Sequence, residues 1–187
     1  AVLSSDMDKT DKVVTMMAEC RDMKLNILPP DINRCEYHFV PVDDATIFYG
    51  LGAIKGLGEA AIDTILGERN VGGPFKDLFD FCQRIDLRKV NRRVLESLIK
   101  AGALDGLGTH RAALMASLNK ALAAADQQSR DRDAGQVDIF GNAVTPAEIH
   151  VYEITAEWSE EQRLEGEKET LGLYLTGHPI ARYAEEL

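Results

Sequence analysis

Cysteine is scarce in this chain, and the little there is does not pair. Cys20, Cys35 and Cys82 are three among 187 residues, far apart and odd in number. That pattern excludes a disulfide framework and lacks the close Cys-Cys or Cys-His spacings of a structural zinc site. It fits buried or half-buried thiols in a reducing cytoplasm. Long hydrophobic runs are also missing. Nothing approaches the ~20 apolar residues of a membrane span, and there is no secretory signal, so no membrane partner is expected and a cytoplasmic location is. The chain lacks an initiating methionine, opening with "AVLSSDMDKT" and closing with "ARYAEEL". It reads as a piece of something longer.

Positive charge is in deficit too. The formal net charge is −10, which argues against a surface built throughout for a polyanion. The average hides a split, because residues 50–120 carry eleven Lys/Arg against eight Asp/Glu, while residues 121–187 carry five against fourteen. Only the middle of the chain is mildly basic.

Catalytic constellations are absent as well. His38, His110, His150 and His178 show no ligand spacing. Asp43 and Asp44 fall in an expected hairpin turn, where aspartate is favoured for turn chemistry. A two-metal site needs convergent carboxylates on a rigid sheet, and none can be nominated. No phosphate loop with four residues between its glycines and a following Lys-Ser/Thr is found.

What remains is a mainly α-helical string with one small sheet element and 45% hydrophobic residues, enough to bury a core. "DMDKTDKVVTMMAECRDM" spaces Val13, Val14, Met16, Met17 and Cys20 helically, with Asp6 or Asp8 as expected cap and an end near Met23. "NILPPDIN" breaks it at Pro29 and Pro30. "YHFVPV" and "TIFYG" around "DDA" predict a β-hairpin. "FKDLFDFCQ" predicts a helix over 75–83, and Asn91 is expected to cap "RRVLESLIKAG", with Gly102 ending it. A long helix then follows Gly108. The polar stretch "QSRDRDAGQVDIFGNAVTPAEIH" reads as a flexible linker.

Two stretches carry the chemistry. In "IKGLGEAAIDTIL", Gly56 and Gly58 flank Leu57 just ahead of an amphipathic helix. A helix N-terminus offers unpaired N–H groups and partial positive charge, so it takes a phosphate when the backbone can approach. Glycines allow that approach, Leu57 would pin the turn to the core, and Lys55 would add a point charge. This is the logic of a helix-hairpin-helix, which holds a nucleic-acid backbone without reading bases. A similar motif recurs at Gly106, Leu107 and Gly108, so the expected fold is a tandem of such hairpins. The second copy is the weaker, with Ala112 one place later than Ala61 in the first, and Arg111 beside it as a candidate contact. Arg92, Arg93 and Lys100 could flank the groove. The competing reading of both motifs is a plain tight bend.

The second stretch is "GQVDIFG". Ile139 and Phe140 stand as large apolar side chains in a polar tether, and something must cover them. Either the segment folds back on its own domain, or a partner's groove takes Ile139 and Phe140 as anchors with Gln136 as polar contact.

The runs "YGLGAIKGLGEAAIDTIL", "VNRRVLESLIKAGALDGLGTHRAAL", "GQVDIF" and "EKETLGLYLTGHPI" together resemble the alpha subunits of bacterial DNA polymerase III, and the likeness covers essentially the whole chain in order. The resemblance implies that residues 1–45 end the fingers region and that 46–125 hold the tandem helix-hairpin-helix of the clamp-binding region. Residues 126–146 would carry an internal clamp-binding peptide, and 147–187 would connect to the following domain. It implies docking of Gln136, Asp138, Ile139 and Phe140 on the beta sliding clamp. It also implies contacts of Lys55, Gly56, Leu57, Gly58, Gly106, Leu107, Gly108 and Arg111 with duplex DNA, without sequence preference, and other replicase subunits as partners of the whole protein. The family's catalytic aspartates, and the magnesium its DNA-directed DNA polymerase activity uses, would lie before Ala1. The stretch itself is expected to need no cofactor and to be inactive alone. Two other classes fit parts of the pattern. A repair glycosylase would need an Asp or Lys at a base-sized pocket, and a structural connector would use the glycine turns only as bends.

Overall fold

The computed structural model describes Met7, residues 9–133 and residues 151–177. Six helices dominate it: α1 (Thr10–Asp22), α2 (Glu59–Gly72), α3 (Leu78–Arg84), α4 (Arg92–Ala101), α5 (Arg111–Asp133) and α6 (Glu160–Leu171). A three-stranded sheet of β1 (Asn26–Leu28), β2 (Val40–Pro41) and β3 (Thr46–Phe48) lies between α1 and a single 3-10 turn at Leu51–Ala53.

The expected hairpin is β2 against β3, antiparallel, with Val40 opposite Phe48. Its turn is closed by Asp43, whose carboxylate accepts from the Ala45 N–H at 2.8 Å. Added to it is β1, parallel to β3 with Ile27 opposite Ile47. The sequence reading made this stretch only the extended break after α1.

Local chemistry explains most helix ends. Asn91 caps α4 by accepting from Val94 N at 3.2 Å, and Gly102 closes it in the left-handed region at φ 83°. The stripe Val94, Leu95, Leu98 and Ile99 is buried as expected. Three expectations are corrected. Helix α1 begins at Thr10 with Lys9 at its cap position and no side-chain cap, while Asp6 and Asp8 lie outside the described residues. Helix α3 begins at Leu78 rather than Phe75, because Asp77 accepts from Asp80 N at 2.8 Å and Asn33 grips both backbone groups of Phe75. Helix α5 runs on to Asp133, through residues read as linker. Pairs four apart support that polar end, Gln127 with Asp131 at 2.8 Å and Arg130 with Asp126 at 3.6 Å.

The core gathers Tyr49, Leu51, Ile62, Ile65, Leu78, Phe79, Phe81, Leu95, Leu98 and Ile99, all fully buried. α3 packs along α5, and α4 along α6. Residues 151–177 are therefore part of the same body. Ser159 and Gln162 form a reciprocal capping box that starts α6. Ahead of it the Tyr152 hydroxyl donates to Leu107 O at 3.0 Å and accepts from Leu78 N at 2.9 Å.

Candidate nucleic-acid interface

At the first glycine turn, Ile54 and Leu57 are buried while Lys55, Gly56 and Gly58 are exposed. Leu57 thus points inward, as its place between glycines predicts. Gly56 sits at φ +87°, a backbone shape that costs an L side chain about 1–2 kcal/mol, and a Cβ there would stand 3.1 Å from Ser97 Oγ on α4. Gly58 differs. It is the cap residue of α2 at φ −81°, ψ 155°, with no side-chain cap, and a Cβ there would meet nothing within 4 Å. The first intrahelical donors are Ala61 N and Ile62 N, both to Gly58 O. The amides ahead of them lie at an exposed helix start, the geometry that accepts an anion. Glu59 is exposed in that first turn and opposes one.

The second motif lies in a nine-residue connection, 102–110, between α4 and α5. Leu104 and Leu107 are buried, Gly106 and Gly108 exposed. Here the positive φ falls on the second glycine, Gly108 at +88°, whereas in the first turn it falls on Gly56. The two motifs share their apolar anchor but not their backbone path. His110 caps α5, its Nδ1 accepting from Ala113 N at 3.2 Å. Helix α4 joins the two turns. Ser97 faces Gly56, and the second loop leaves α4 at Gly102, five residues and so about 7.5 Å further along the axis.

The cations expected around these turns divide sharply. Lys55 and Arg93 are exposed. Arg92 pairs with Glu96 at 2.8 Å and bonds to Asn119, and Lys100 pairs with Glu169 at 2.7 Å. Arg111 corrects the sequence expectation. Its side chain is 5% exposed, and its Nε and Nη2 grip Asp105 at 2.9 and 2.8 Å while Nη1 donates to Glu167 at 3.1 Å. Burial works against its charge, but Asp105 and Glu167 outweigh it and hold the guanidinium above its ordinary pKa. A side chain so engaged is an internal strut, unavailable to a phosphate outside.

Sequence reasoning missed the contribution of the returning segment. Lys55 N donates to Thr170 O at 2.8 Å, so the end of α6 holds the first turn in place. The capping-box pattern Ser159-x-x-Gln162 could have announced α6, but nothing local announces where it docks. Gln136, Asp138, Ile139 and Phe140 lie outside the described residues.

A cleft of about 680 Å³ between α3 and the far half of α5 balances its charges, with Arg84, Arg88 and Arg132 against Glu68, Asp86 and Asp126. Among the described residues no group of three or more His, Cys, Asp or Glu could hold a metal ion. No described helix is long and apolar enough to cross a membrane.

Comparison with known proteins agrees with this geometry. Residues 24–114 match the family model of a helix-hairpin-helix motif, which spans the sheet, both glycine loops and the start of α5. The whole chain is 57% identical to DNA polymerase III subunit alpha of Vibrio cholerae, 55% to that of Escherichia coli and 49% to that of Pseudomonas aeruginosa. It spans 16%, 16% and 18% of those relatives' lengths. With the whole of this chain matched at this identity, and a mainly α fold carrying the motif, the chain belongs, as a stretch of it, to the family of DNA polymerase III alpha subunits.

Proposed function

We propose that this stretch holds the DNA duplex by its phosphate backbone and attaches its parent polymerase to the beta sliding clamp, so that it serves processivity rather than chemistry. The observation that carries the DNA half is the first turn: exposed Gly56 and Gly58, buried Leu57, exposed Lys55 and an uncapped start of α2. Gly106 and Gly108, exposed on either side of the buried Leu107, would add a second, differently shaped contact. No base-reading is required of either turn, so binding is indifferent to sequence.

The clamp half rests on "QVDIF". Ile139 and Phe140 yield ~3–6 kcal/mol gross if fully buried in a partner groove, and ordering a free segment takes back ~2–5 kcal/mol. The peptide is a weak hook that gains from the DNA contact beside it. On this reading polymerase chemistry belongs to parts of the parent protein outside this stretch, and the stretch alone is expected to extend no primer.

The deciding experiment is titration of a labelled duplex of arbitrary sequence with the protein and with a Lys55→Glu, Gly58→Asp double variant. A loss of about tenfold or more is expected, because charge reversal and a carboxylate at the helix start both repel phosphate. Equal affinity in a folded double variant would leave the glycine turns as bends and nothing more.

A further inference from the structure

Glu167 is a carboxylate sealed in the protein, its side chain 1% exposed, in a segment outside the matched motif. Both of its oxygens are fully used. Oε1 accepts from Arg111 Nη1 at 3.1 Å and from the Thr176 hydroxyl at 2.7 Å, and Oε2 accepts from Leu175 N at 2.8 Å and Thr176 N at 3.0 Å. Arg111 Nη1 also donates to the Lys100 carbonyl at 3.3 Å, at the end of α4, while its Nε and Nη2 hold Asp105 in the second glycine loop. The guanidinium lies against Gly102, where any Cβ would collide with it. Gly166 packs against the Lys100 backbone, a Cβ there standing 3.3 Å from Lys100 O. The chain of contacts therefore runs from the turn after α6, through Glu167 and Arg111, to the loop that presents Gly106 and Gly108.

We infer that Glu167 is a positioning residue for nucleic-acid binding: acting through Arg111, it sets the second glycine loop, so that the DNA-holding unit extends past the matched motif to Gly177. This rests on the reading of the glycine turns as phosphate contacts. Only a carboxylate meets the geometry, since an amide at 167 would turn a donor toward either Arg111 or the Leu175 and Thr176 N–H groups. The loop is tied at both ends, Ile32 N donating to Ala103 O at 3.0 Å and the Tyr152 hydroxyl to Leu107 O at 3.0 Å. Within it Asp105 N bonds to Gly102 O and Leu107 N to Leu104 O, and between these ties the Asp105 carboxylate on Arg111 holds the exposed stretch at Asp105 and Gly106.

Electrostatics and positioning predict opposite signs, which makes the inference testable. Removing a negative charge from a chain of net −10 strengthens binding to a polyanion if nothing moves. Glu167→Gln and Asp105→Asn are each expected to weaken binding to a labelled duplex by about tenfold. The slope of affinity against salt stays unchanged, because no phosphate contact is deleted. Amide exchange at Asp105 and Leu107 should accelerate by a similar factor while the α2 amides keep their protection. Asp105 is half exposed, so its variant carries the test if Glu167→Gln does not fold. Equal or tighter duplex binding by a folded variant overturns the inference, and so does unaltered exchange in the loop. Failure of the unsubstituted protein to bind duplex overturns the proposed function instead, and the exchange measurement still judges the link between Glu167 and the loop.

Discussion

A glycine can be required by the backbone or by what must approach it, and the proposed DNA contact gives the first turn one of each. Gly56 is needed by conformation, at a positive φ, and Gly58 would be needed by the phosphate's approach, since nothing in the protein crowds it. Gly56→Ala is expected to lower unfolding free energy by about 1–2 kcal/mol from the positive φ alone. Gly58→Ala should change it by less than about 0.5 kcal/mol, since a poorer cap is offset by a stiffer unfolded chain, yet it should weaken duplex binding by standing in the phosphate's path. Denaturant titration of the two variants, with a duplex titration of the second, separates the roles. The cysteines give a pH prediction. Burial pushes the Cys35 thiol up from 9.0 to about 11 and the Cys82 thiol to about 12. Between pH 9 and those values the unfolded chain gives up protons that the folded one keeps, so unfolding free energy falls as pH rises. Cys82→Ala should flatten that decline in melts taken from pH 8 to pH 10, whereas an equal slope would detach it from this thiol. At this scale, Leu57 and Asn91 were legible because their surroundings are their sequence neighbours. Arg111 was not, because Glu167, the partner that turns it inward, is 56 residues away.

Elements meet through a few side chains that bridge them, and Tyr152 is the clearest. It lies outside any helix, yet its hydroxyl serves the first amide of α3 and the carbonyl of Leu107 in the second glycine loop, while its ring packs by Phe79 at 5.8 Å. Tyr152→Phe keeps the ring and leaves both groups without their partner, so a loss of about 1–3 kcal/mol is expected. The exchange of Leu78 N should rise with it. A denaturation midpoint equal to that of the parent would show that other groups take over. Helix starts at Leu78 and Arg92 follow from Asp77 and Asn91 bonding three residues ahead; Asn91 announces its helix, whereas the helical spacing of Phe75, Leu78, Phe79 and Cys82 hides Asp77. The extent of α5 and the presence of β1 do not follow that way. The end of α5 is polar on every side and held by pairs four apart, which imitates a linker. β1 is three residues long and exists because β3 lies beside it in parallel, a tertiary fact with no local pattern.

For the whole molecule the distribution of charge decides how strongly it can hold DNA unaided. A net −10 with a mild excess of cations only in residues 50–120 makes for weak attraction to a polyanion, and Lys100 and Arg111 are already engaged within the protein. Duplex binding alone is therefore expected to be weak and to fade as salt rises. The proposed clamp peptide changes the arithmetic without changing either contact. Phe140 lies seven residues from Asp133 and eleven from Val151, so the shorter arm lets it stand at most about 25 Å from the end of α5, and a clamp held there on the same duplex would keep the glycine turns near DNA. Tethering of this kind raises apparent affinity by about 10²–10⁴. Clamp loaded on a nicked circular duplex should thus raise the protein's apparent affinity for that DNA by a factor in this range. Phe140→Ala should return it to the clamp-free value and leave helicity and clamp-free binding untouched. The Lys55→Glu, Gly58→Asp variant should behave in reverse, keeping its affinity for free clamp while losing the gain on DNA. If Phe140→Ala kept the full gain, the two contacts would not be acting as one tethered pair.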